Sequence, residues 1–328
     1  MEKRQLGTTD LYVSVVAQGC WPMGGDYWGG ADDEESIRTI HKALELGVNI
    51  FDTAPGYGAG HSEEVVGKAL VGRRKDAIIS TKFAGAGSSE EEIRAKLQIS
   101  LERMKTDYVD IYFIHWPNRR EPLGRVIESL EKMRQSGIIR AIGVSNFDIP
   151  MLQIAAKYGT IDAFQPPYNL IWRFPEEDII PYCVAHNIGI TTYSSLAQGM
   201  LAGAVNLRTR YANGDMRPRS VLWKSENLGK CLYTVEKVRA VAKELGVTLA
   251  QLSLRWLLAQ PGVTTALVGA RTVAEITENA GAVGWDLSKE VLAQVQDISD
   301  ELYDTMPYYY DMWENWSSWN KRGPQREL

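Results

Sequence analysis

The segment AIISTKFAGAGSSEEEIRAKLQISLERMKTDYVDIYFIH, residues 77–115, carries the pattern that decides the fold. Its two ends, AIISTKF and YVDIYFIH, are apolar runs with little polar alternation, as expected for strands buried on both faces of a parallel sheet. Between them, Ser89 and Glu92 predict a capping box at the start of a helix. That helix carries apolar side chains on one face: Ile93, Leu97, Leu101 and Met104. The segment therefore predicts a strand, a helix and a second strand.

The same alternation continues along the chain. Six further strands are predicted at VVAQGC, VNIFD, IIRAIGVS, IDAFQ, IGITTYSS and TTALVGA. Further helix starts are predicted at Asp148, at Thr248 with Gln251 and at Thr272 with Glu275, and helix ends at Gly47 and Gly137. Eight strand–helix units in 328 residues predict an α/β protein with a (β/α)8 TIM barrel. A doubly wound sheet is the alternative, but no GxGxxG motif follows the first strand.

The predicted barrel carries three additions. We expect residues 1–328 to form a single domain, with an N-terminal β-hairpin in residues 1–18. Residues 197–230 form a long polar loop, which ends before a helix predicted at CLYTVEKVRAVAKELG. Residues 286–328 are expected to form a C-terminal helix and an aromatic tail. Long loops on the catalytic face of a barrel are usually functional or disordered.

Composition narrows the function. The net charge of −5 argues against a dedicated nucleic-acid binder, because phosphate recognition requires clustered Lys and Arg. No apolar run of about 18 residues is present, which argues against a membrane-spanning helix. The N-terminal residues lack the apolar stretch of a signal peptide, and the widely spaced Cys20, Cys183 and Cys231 indicate reduced thiols. We therefore expect a cytoplasmic protein without a metal site, and the oligomeric state stays open.

Side chains suited to chemistry gather at the predicted carboxyl ends of the strands, where barrel enzymes place their active sites. Asp52 ends one strand and Tyr57 follows it closely, while Lys82 and His115 lie at the ends of the next two strands. Singly, each has an ordinary explanation: a turn-forming aspartate, a loop tyrosine, a lysine reaching solvent and a core histidine. An acid, a phenol, an amine and an imidazole at one barrel mouth are improbable by chance.

Together these four groups suit proton transfer. The pKa of a phenol is about 10, so an isolated tyrosine is a poor proton donor at neutral pH. A nearby ammonium lowers that pKa, and a carboxylate paired with the ammonium keeps it charged and in position. An imidazole beside the phenol can hydrogen-bond a substrate carbonyl. The set can therefore protonate an oxygen on which negative charge develops during hydride delivery to a C=O bond.

Six segments resemble, in order, the motifs of the aldo-keto reductase superfamily. They are FDTAPGYGAGHSEEVVGKAL, ISTKF, IYFIHWP, GVSNF, TTYSSLAQGML and VGARTVAEITENAGA, and the resemblance extends from about residue 5 to residue 285. It implies an NAD(P)H-dependent oxidoreductase with a catalytic tetrad: Tyr57, Lys82, Asp52 and His115. Tyr57 would be the general acid in reduction and the base in alcohol oxidation. Lys82 would lower its pKa, Asp52 would hold Lys82, and His115 would orient the carbonyl.

The resemblance also implies a cofactor site. The residues that match the nicotinamide and pyrophosphate contacts are Ser145, Asn146, Gln165, Tyr193, Ser194, Leu196, Gln198 and Gly199. Among these, Tyr193 would stack on the nicotinamide ring. The residues that match the adenosine end are Gly269, Arg271, Glu275, Glu278 and Asn279. Backbone N–H groups at a helix N-terminus after the eighth strand independently favour a phosphate there.

Cofactor choice depends on two opposed side chains at the adenosine end. Many family members carry an arginine where this chain has Glu275. Glu275 either completes a capping box with Thr272 or disfavours a 2′-phosphate and permits NAD(H). Arg271 acts in the other direction, because its charge can attract that phosphate. We predict that NADP(H) is preferred and that NAD(H) is possible.

The predicted substrate side is rich in aromatic residues. Trp21, Trp28 and Trp116 fall beside the barrel mouth, and Trp313 and Trp316 lie in the C-terminal tail. The resemblance implies that this tail covers the substrate. Tryptophans mixed with acidic and amide side chains suit stacking on the C–H faces of sugars. Alternatively, the tail packs its aromatic residues against its own barrel or a neighbouring subunit. We predict a small-molecule carbonyl or polyol substrate, either sugar-like or a small aldehyde or ketone.

Two other classes of function are compatible with parts of the pattern. A non-catalytic, NADP-binding regulatory or partner-binding subunit on the same fold is not excluded by an intact tetrad. A carbohydrate hydrolase requires two opposed carboxylates. Asp52 is the one carboxylate that the sequence places at a predicted strand end, which argues against a hydrolase. The sequence therefore favours an NADP-dependent aldo-keto reductase or alcohol dehydrogenase.

Overall fold

The fold is built around a closed barrel of parallel strands. The computed structural model describes residues 1–84, 89–117, 122–307 and 311–313. A two-stranded antiparallel hairpin comes first, formed by β1 (Lys3–Gln5) and β2 (Tyr12–Ser14). The barrel strands follow in chain order: β3 (Val16–Gly19), β4 (Ile50–Asp52), β5 (Ile78–Ala84), β6 (Val109–Trp116), β7 (Ile139–Ser145), β8 (Ala163–Gln165), β9 (Gly189–Thr192) and β10 (Val263–Gly269). Neighbours pair in parallel and β10 closes onto β3, so the predicted (β/α)8 barrel and hairpin are confirmed.

Helices alternate with these strands and cover the barrel. They are α1 (Asp33–Glu45), α2 (His61–Ala69), α3 (Glu90–Met104), α4 (Leu123–Gln135), α5 (Ile149–Ala155), α6 (Ile179–Ala185), α7 (Ser225–Glu244), α8 (Leu249–Leu258), α9 (Val273–Ala280) and α10 (Lys289–Tyr303). The predicted caps are confirmed at Ser89, Asp148 and Thr248, whose side chains accept backbone N–H groups of the first helical turn. Gly47 and Gly137 follow helix ends with φ of 82° and 78°, a conformation that glycine adopts readily.

The hairpin closes the N-terminal end of the barrel. Leu6, Leu11 and Val13 are buried in one cluster with inward-facing residues of the strands, among them Ile50 and Ile78 at the starts of β4 and β5. Burying each such side chain contributes about 1.5–3 kcal/mol. Apolar side chains fill the interior of the barrel at this end. An open site lined by polar side chains is therefore expected at the opposite end, where the strands finish.

The long loop before α7 differs from the prediction at its C-terminal boundary. Helix α7 begins at Ser225 rather than at Cys231, so the irregular stretch ends at Lys224. The first turn, SENLGK, has no apolar periodicity and was therefore not recognised as helical. It is stabilised by an acidic residue near the helix N-terminus, Glu226, and by the side chain of Asn227, which donates to Val221 O at 2.9 Å.

The described part of the C-terminal tail packs against this loop of the same chain. The predicted C-terminal helix is present as α10. Beyond it, Val221 N–H donates to Met312 O at 3.0 Å, and Trp313 forms an isolated β-bridge with Ser220. Trp313 is buried. Trp316 lies outside the described residues.

The cysteines are small core residues. Cys20, Cys183 and Cys231 are free and buried. Burial raises the pKa of Cys183 and of Cys231 to about 12, which keeps both thiols protonated at neutral pH. Within the described ranges, no group of three or more His, Cys, Asp or Glu could hold a metal ion. No helix in the same ranges is long and apolar enough to cross a membrane.

A buried carboxylate ties the N-terminal end of the barrel together. Asp110, in β6, accepts hydrogen bonds from the guanidinium groups of Arg74 and Arg140, each at 2.7 Å, and from Ile79 N–H at 2.9 Å. Arg140 also donates to Asp10 of the hairpin turn at 3.0 Å. The side chain of Asp110 is 1% exposed, whereas that of Asp10 is 82% exposed. The two aspartates therefore share one arginine in very different environments.

Asp110→Ala should lower the free energy of unfolding by about 3 kcal/mol, because it leaves buried donors without an acceptor and removes the anion between two cations. Asp10→Ala is the matched control and should cost less than about 1 kcal/mol, since exposed ion pairs contribute little. Urea denaturation of the purified variants measures both values. Equal losses in the two variants would contradict this account of the network.

Candidate active site

The site is centred on a buried lysine. Lys82, in β5, is 0% exposed, and its Nζ lies 2.5 Å from Asp52 Oδ1 at the end of β4. The same ammonium donates to the main-chain oxygen of Thr53 at 2.8 Å. An isolated ammonium inside a barrel would be strongly unfavourable, and an opposite charge with further hydrogen bonds offsets that cost. The adjacent, parallel strands β4 and β5 thus supply both members of one ion pair.

The second oxygen of Asp52 is also fully engaged. Oδ2 accepts from Ser80 Oγ at 2.7 Å and from Gln165 Nε2 at 3.1 Å. Ser80 lies directly opposite Asp52 in the register of β4 and β5. Gln165 ends β8, on another part of the barrel wall. Because both carboxylate oxygens are held, Asp52 fixes the position of Lys82 rather than facing the cleft as a free base.

Tyr57 lies on the loop after β4 and is within reach of Lys82. Lys82 Nζ donates to Tyr57 Oη at 3.1 Å, and the same atom lies 4.8 Å from the centre of the tyrosine ring. Trp21 stacks on the same ring with 5.5 Å between ring centres. The phenol is therefore oriented by a cation on one side and an indole on the other.

The loop that carries Tyr57 requires glycine at specific positions. Gly58 has a φ of 61°, and a Cβ there would lie 2.0 Å from the main-chain oxygen of Gly24. Gly60 has a φ of 98°, which side chains rarely adopt. Gly56, by contrast, has an ordinary φ of −77°. The close approach to Gly24 explains the requirement at Gly58.

His115 is placed beside Tyr57 and is neutral. It lies near the end of β6, with 6.1 Å between the two ring centres and the rings edge to face. Burial, together with the nearby charge of Lys82, lowers the pKa of His115 well below its ordinary value. The imidazole can therefore donate a hydrogen bond without bringing a second positive charge next to Lys82.

The pKa of Tyr57 is raised, which differs from the lowering expected from Lys82 alone. Burial of the phenol is the main cause, and the charge of Lys82 opposes it. Asp52 neutralises much of the lysine's field and itself raises the pKa of Tyr57. Although burial works to lower the pKa of Lys82, the attraction of Asp52 and Tyr57 raises it. The resting state is thus a neutral phenol beside a charged ammonium.

The residues that resemble the nicotinamide contacts form one hydrogen-bonded chain. Ser145 Oγ donates to Gln165 O at 2.8 Å, and Asn146 Nδ2 donates to His115 O at 2.9 Å. Tyr193 Oη donates to Asn146 Oδ1 at 3.0 Å. Asn146 has a φ of 60°, a conformation that asparagine tolerates better than most residues. The ends of β7, β8 and β9 are therefore linked beside the Lys82–Asp52 pair.

The next predicted segment turns sharply along the cleft. Four of its residues have positive φ: 52° at Ser194, 46° at Ala197, 54° at Gln198 and 95° at Gly199. Asn169 Nδ2 holds the turn by donating to Ser194 O at 2.9 Å. Backbone strain of this kind persists where surrounding structure enforces it and is frequent at functional sites.

The adenosine end of the predicted cofactor site lies at the N-terminus of α9. Thr272 caps the helix, accepting from Glu275 N–H at 3.2 Å. The carboxylate of Glu275 accepts from Arg271 N–H at 2.7 Å, so its partner is one residue earlier than the predicted capping box requires. Glu35, from α1, accepts from Val273 N–H at 3.0 Å. No sequence pattern pointed to Glu35, because its contact with Val273 spans 238 positions.

A single cleft of about 670 Å³ joins these groups. It is lined by the whole tetrad, by every predicted cofactor-binding residue and by four of the predicted tryptophans: Trp21, Trp28, Trp116 and Trp313. Trp21 meets Trp28 and Trp313 edge to face, with 5.0 and 6.0 Å between ring centres. The tryptophans thus form an aromatic wall over Tyr57.

Other cleft residues were not foreseen. Tyr27, Met216 and Arg217 also line the cleft. Arg217 is held by Asp215, with Nη2 to Oδ2 at 2.6 Å, and its guanidinium lies 5.4 Å from the ring centre of Trp28. The unusual length of the loop before α7 indicated that this segment could reach the cleft. It did not identify individual residues, because an irregular loop has no periodicity from which contacts can be predicted.

Comparisons with known proteins agree with this architecture. A model of the Aldo/keto reductase family matches residues 16–300. The chain is 32% identical over 327 residues to the NADH-specific methylglyoxal reductase of Escherichia coli, covering 92% of this chain and 99% of that protein.

Solved structures are similar over nearly the whole chain. The glycerol dehydrogenase of Gluconobacter oxydans has a TM-score of 0.83 at 35% identity, covering 91% of this chain and 95% of that one. An aldo/keto reductase of Klebsiella pneumoniae in complex with NADP and acetate has a TM-score of 0.74 at 28% identity, covering 95% and 98%. With the family match extending over most of its length, this chain belongs to the aldo/keto reductase family.

Proposed function

We propose that this protein transfers hydride between a nicotinamide cofactor and a carbonyl or alcohol carbon, with Tyr57 as the general acid and base. The observation that carries the proposal is the position of Lys82 Nζ, 2.5 Å from Asp52 Oδ1 and 3.1 Å from Tyr57 Oη. One buried cation thus touches a fixed anion and the phenol that would handle the proton. When bound, the dinucleotide supplies or accepts the hydride, and the protein handles the oxygen and its proton.

Tyr57 is suited to donate a proton in reduction. Its raised pKa keeps the phenol protonated at neutral pH. Once the proton moves from Oη to the substrate oxygen, the phenolate lies beside the ammonium of Lys82, which stabilises the new charge. Asp52 keeps that ammonium in place through both states. In alcohol oxidation the same atoms act in the opposite direction, and Oη accepts the proton.

His115 complements Tyr57 by binding the substrate oxygen. The two rings lie 6.1 Å apart between centres, so an oxygen between them can be approached by both groups. A neutral imidazole donates to an oxygen that gains negative charge, and it is already oriented before the reaction. The pair therefore positions a carbonyl and stabilises its charge as hydride arrives.

The polar groups along the cleft fit a nicotinamide dinucleotide. The side-chain amides of Asn146 and Gln165 lie near Lys82 and complement a carboxamide, and the ring of Tyr193 lines the same end. Farther along, Arg217 and Arg271 supply two guanidinium groups that complement phosphates. The Klebsiella relative contains NADP. These observations support NADP(H) as the preferred cofactor, and the NADH-specific Escherichia coli relative supports NAD(H) as a possible one.

The aromatic wall supports a small, oxygen-rich substrate. Trp21, Trp28 and Trp313 present ring faces and edges around Tyr57, an arrangement that suits the C–H faces of hydroxylated carbon chains. Two relatives are named for methylglyoxal and glycerol, which are small polar molecules of this kind. A sugar-like or small aldehyde or ketone is therefore the substrate class that we propose.

Tyr57→Phe should reduce kcat for carbonyl reduction about 10³-fold, because general acid catalysis is lost while the ring keeps its packing. Binding of NADPH, followed by tryptophan fluorescence, should change less than about twofold. Tyr27→Phe is the matched control, because Tyr27 also lines the cleft and is 40% exposed. Retention of more than a tenth of the activity by Tyr57→Phe would refute the role of Tyr57.

The pH profile should follow the raised pKa of Tyr57. A general acid works while protonated, so kcat/KM for reduction should stay level from about pH 6 to pH 9 and fall only above about pH 10. No inflection should occur near pH 6.5, because the lowered pKa of His115 keeps its imidazole neutral there. Initial rates in constant-ionic-strength buffers measure the profile, and a decline between pH 7 and 8 would contradict it.

Trp313→Ala should raise KM for a hydroxylated aldehyde about fivefold, since an aromatic contact contributes about 1 kcal/mol. Cofactor affinity should be unchanged. Trp223→Ala is the control, because Trp223 is also buried and lies in the loop against which the tail packs, but it does not line the cleft and its indole N–H donates to Tyr211. If KM were unaltered across a panel of sugars and small aldehydes, the aromatic wall would have no part in substrate binding.

A further inference from the structure

The N-terminus of α9 already holds two carboxylates. Arg271 N–H donates to Glu275 at 2.7 Å, and Val273 N–H donates to Glu35 at 3.0 Å. Amides at this position would otherwise attract a phosphate, through their free N–H groups and the positive end of the helix dipole. In this chain, side-chain anions from two different helices bind there instead.

Glu35 is held firmly in this position. Its other oxygen accepts from Arg38 Nε at 2.9 Å and from Arg38 Nη2 at 2.7 Å. The hydrogen bond from Val273, followed by the one from Arg38, lowers the pKa of Glu35, so the group is charged at neutral pH. Glu275 lines the cleft. Glu35 is not among the described residues that line it. Glu35 can therefore affect a ligand through its charge and its bond to α9, without direct contact.

Arg271, the arginine next to the N-terminus of α9, uses part of its guanidinium group elsewhere. Arg271 Nη1 donates to Trp28 O at 3.3 Å, across the cleft from α9. Its positive charge still lines the cleft, but one of its donors is used by the protein. Two guanidinium groups, those of Arg271 and Arg38, thus lie near two carboxylates, and both carboxylates accept from the amides of the helix end.

We infer that Glu35, acting with Glu275, selects against the 2′-phosphate of NADP(H) and so keeps NAD(H) competitive as a cofactor. The inference rests on the proposed function, since it assumes that the adenosine ribose lies at the start of α9. NAD(H) has a hydroxyl where NADP(H) has a phosphate, so only NADP(H) meets the repulsion. Glu35 is a specificity-determining residue that acts from α1, outside the cleft wall.

The test is an equilibrium titration of the intrinsic tryptophan fluorescence with NADPH and with NADH. Glu35→Gln removes the charge, while the glutamine oxygen can still accept from Val273 N–H. The dissociation constant for NADPH should fall about fivefold, and that for NADH should change less than about twofold. Glu275→Gln should act in the same direction. The gain should shrink at about 0.5 M salt, because exposed charges are then screened.

Glu34→Gln is the matched control. Glu34 lies on the same helix, pairs with the same Arg38 at 3.8 Å and has a side chain that is 88% exposed. This variant should bind both cofactors as the original protein does. Equal tightening of NADPH and NADH by Glu35→Gln, or the same gain in Glu34→Gln, would overturn the inference. Failure of the original protein to bind either cofactor would instead overturn the proposed function.

Discussion

The buried ion pair between Lys82 and Asp52 is the constraint on which the rest of the site depends. A lysine that is 0% exposed is tolerable in the native state only if nearby groups compensate its charge. The ammonium donates hydrogen bonds to three groups: the carboxylate of Asp52, the main-chain oxygen of Thr53 and the phenol of Tyr57. Removing either charged partner would leave the other buried and uncompensated, which typically costs about 3–5 kcal/mol. Stability and chemistry are therefore coupled at this pair.

The same pair explains why a raised pKa at Tyr57 is compatible with proton transfer. Burial opposes the phenolate, and the net charge of Lys82 with Asp52 is close to zero, so the neutral phenol is favoured at rest. The lysine nevertheless lies 3.1 Å from Oη, where it stabilises the phenolate as the proton leaves. A general acid needs its proton before the reaction and a stable anion during it, and the geometry provides both.

Much of this site could be predicted because barrel topology is so restrictive. Asp52, Lys82 and His115 lie at or near the ends of consecutive strands, and parallel strands in a closed barrel bring their carboxyl ends to one rim. The direction of the pKa shift at Tyr57 could not be predicted, because it depends on how deeply the ring is buried. Arg217 was missed since an irregular loop carries no periodic signal. Glu35 was missed because only the packing of α1 against α9 brings it to that helix end.

Charge is distributed unevenly among the groups of the site. The charges of the Lys82–Asp52 pair balance, Arg217 and Arg271 line the cleft, and Glu275 and Glu35 accept from the amides at the start of α9, where Glu35 lies outside the cleft wall. A ligand without negative charge near the start of α9 matches this distribution better than one that carries charge there. The hairpin and Asp110 stabilise the opposite end of the barrel, far from these groups. Those contacts involve none of Glu35, Glu275 and Arg271, so the side chains proposed to set cofactor choice can be changed without disturbing the packing at that end of the barrel.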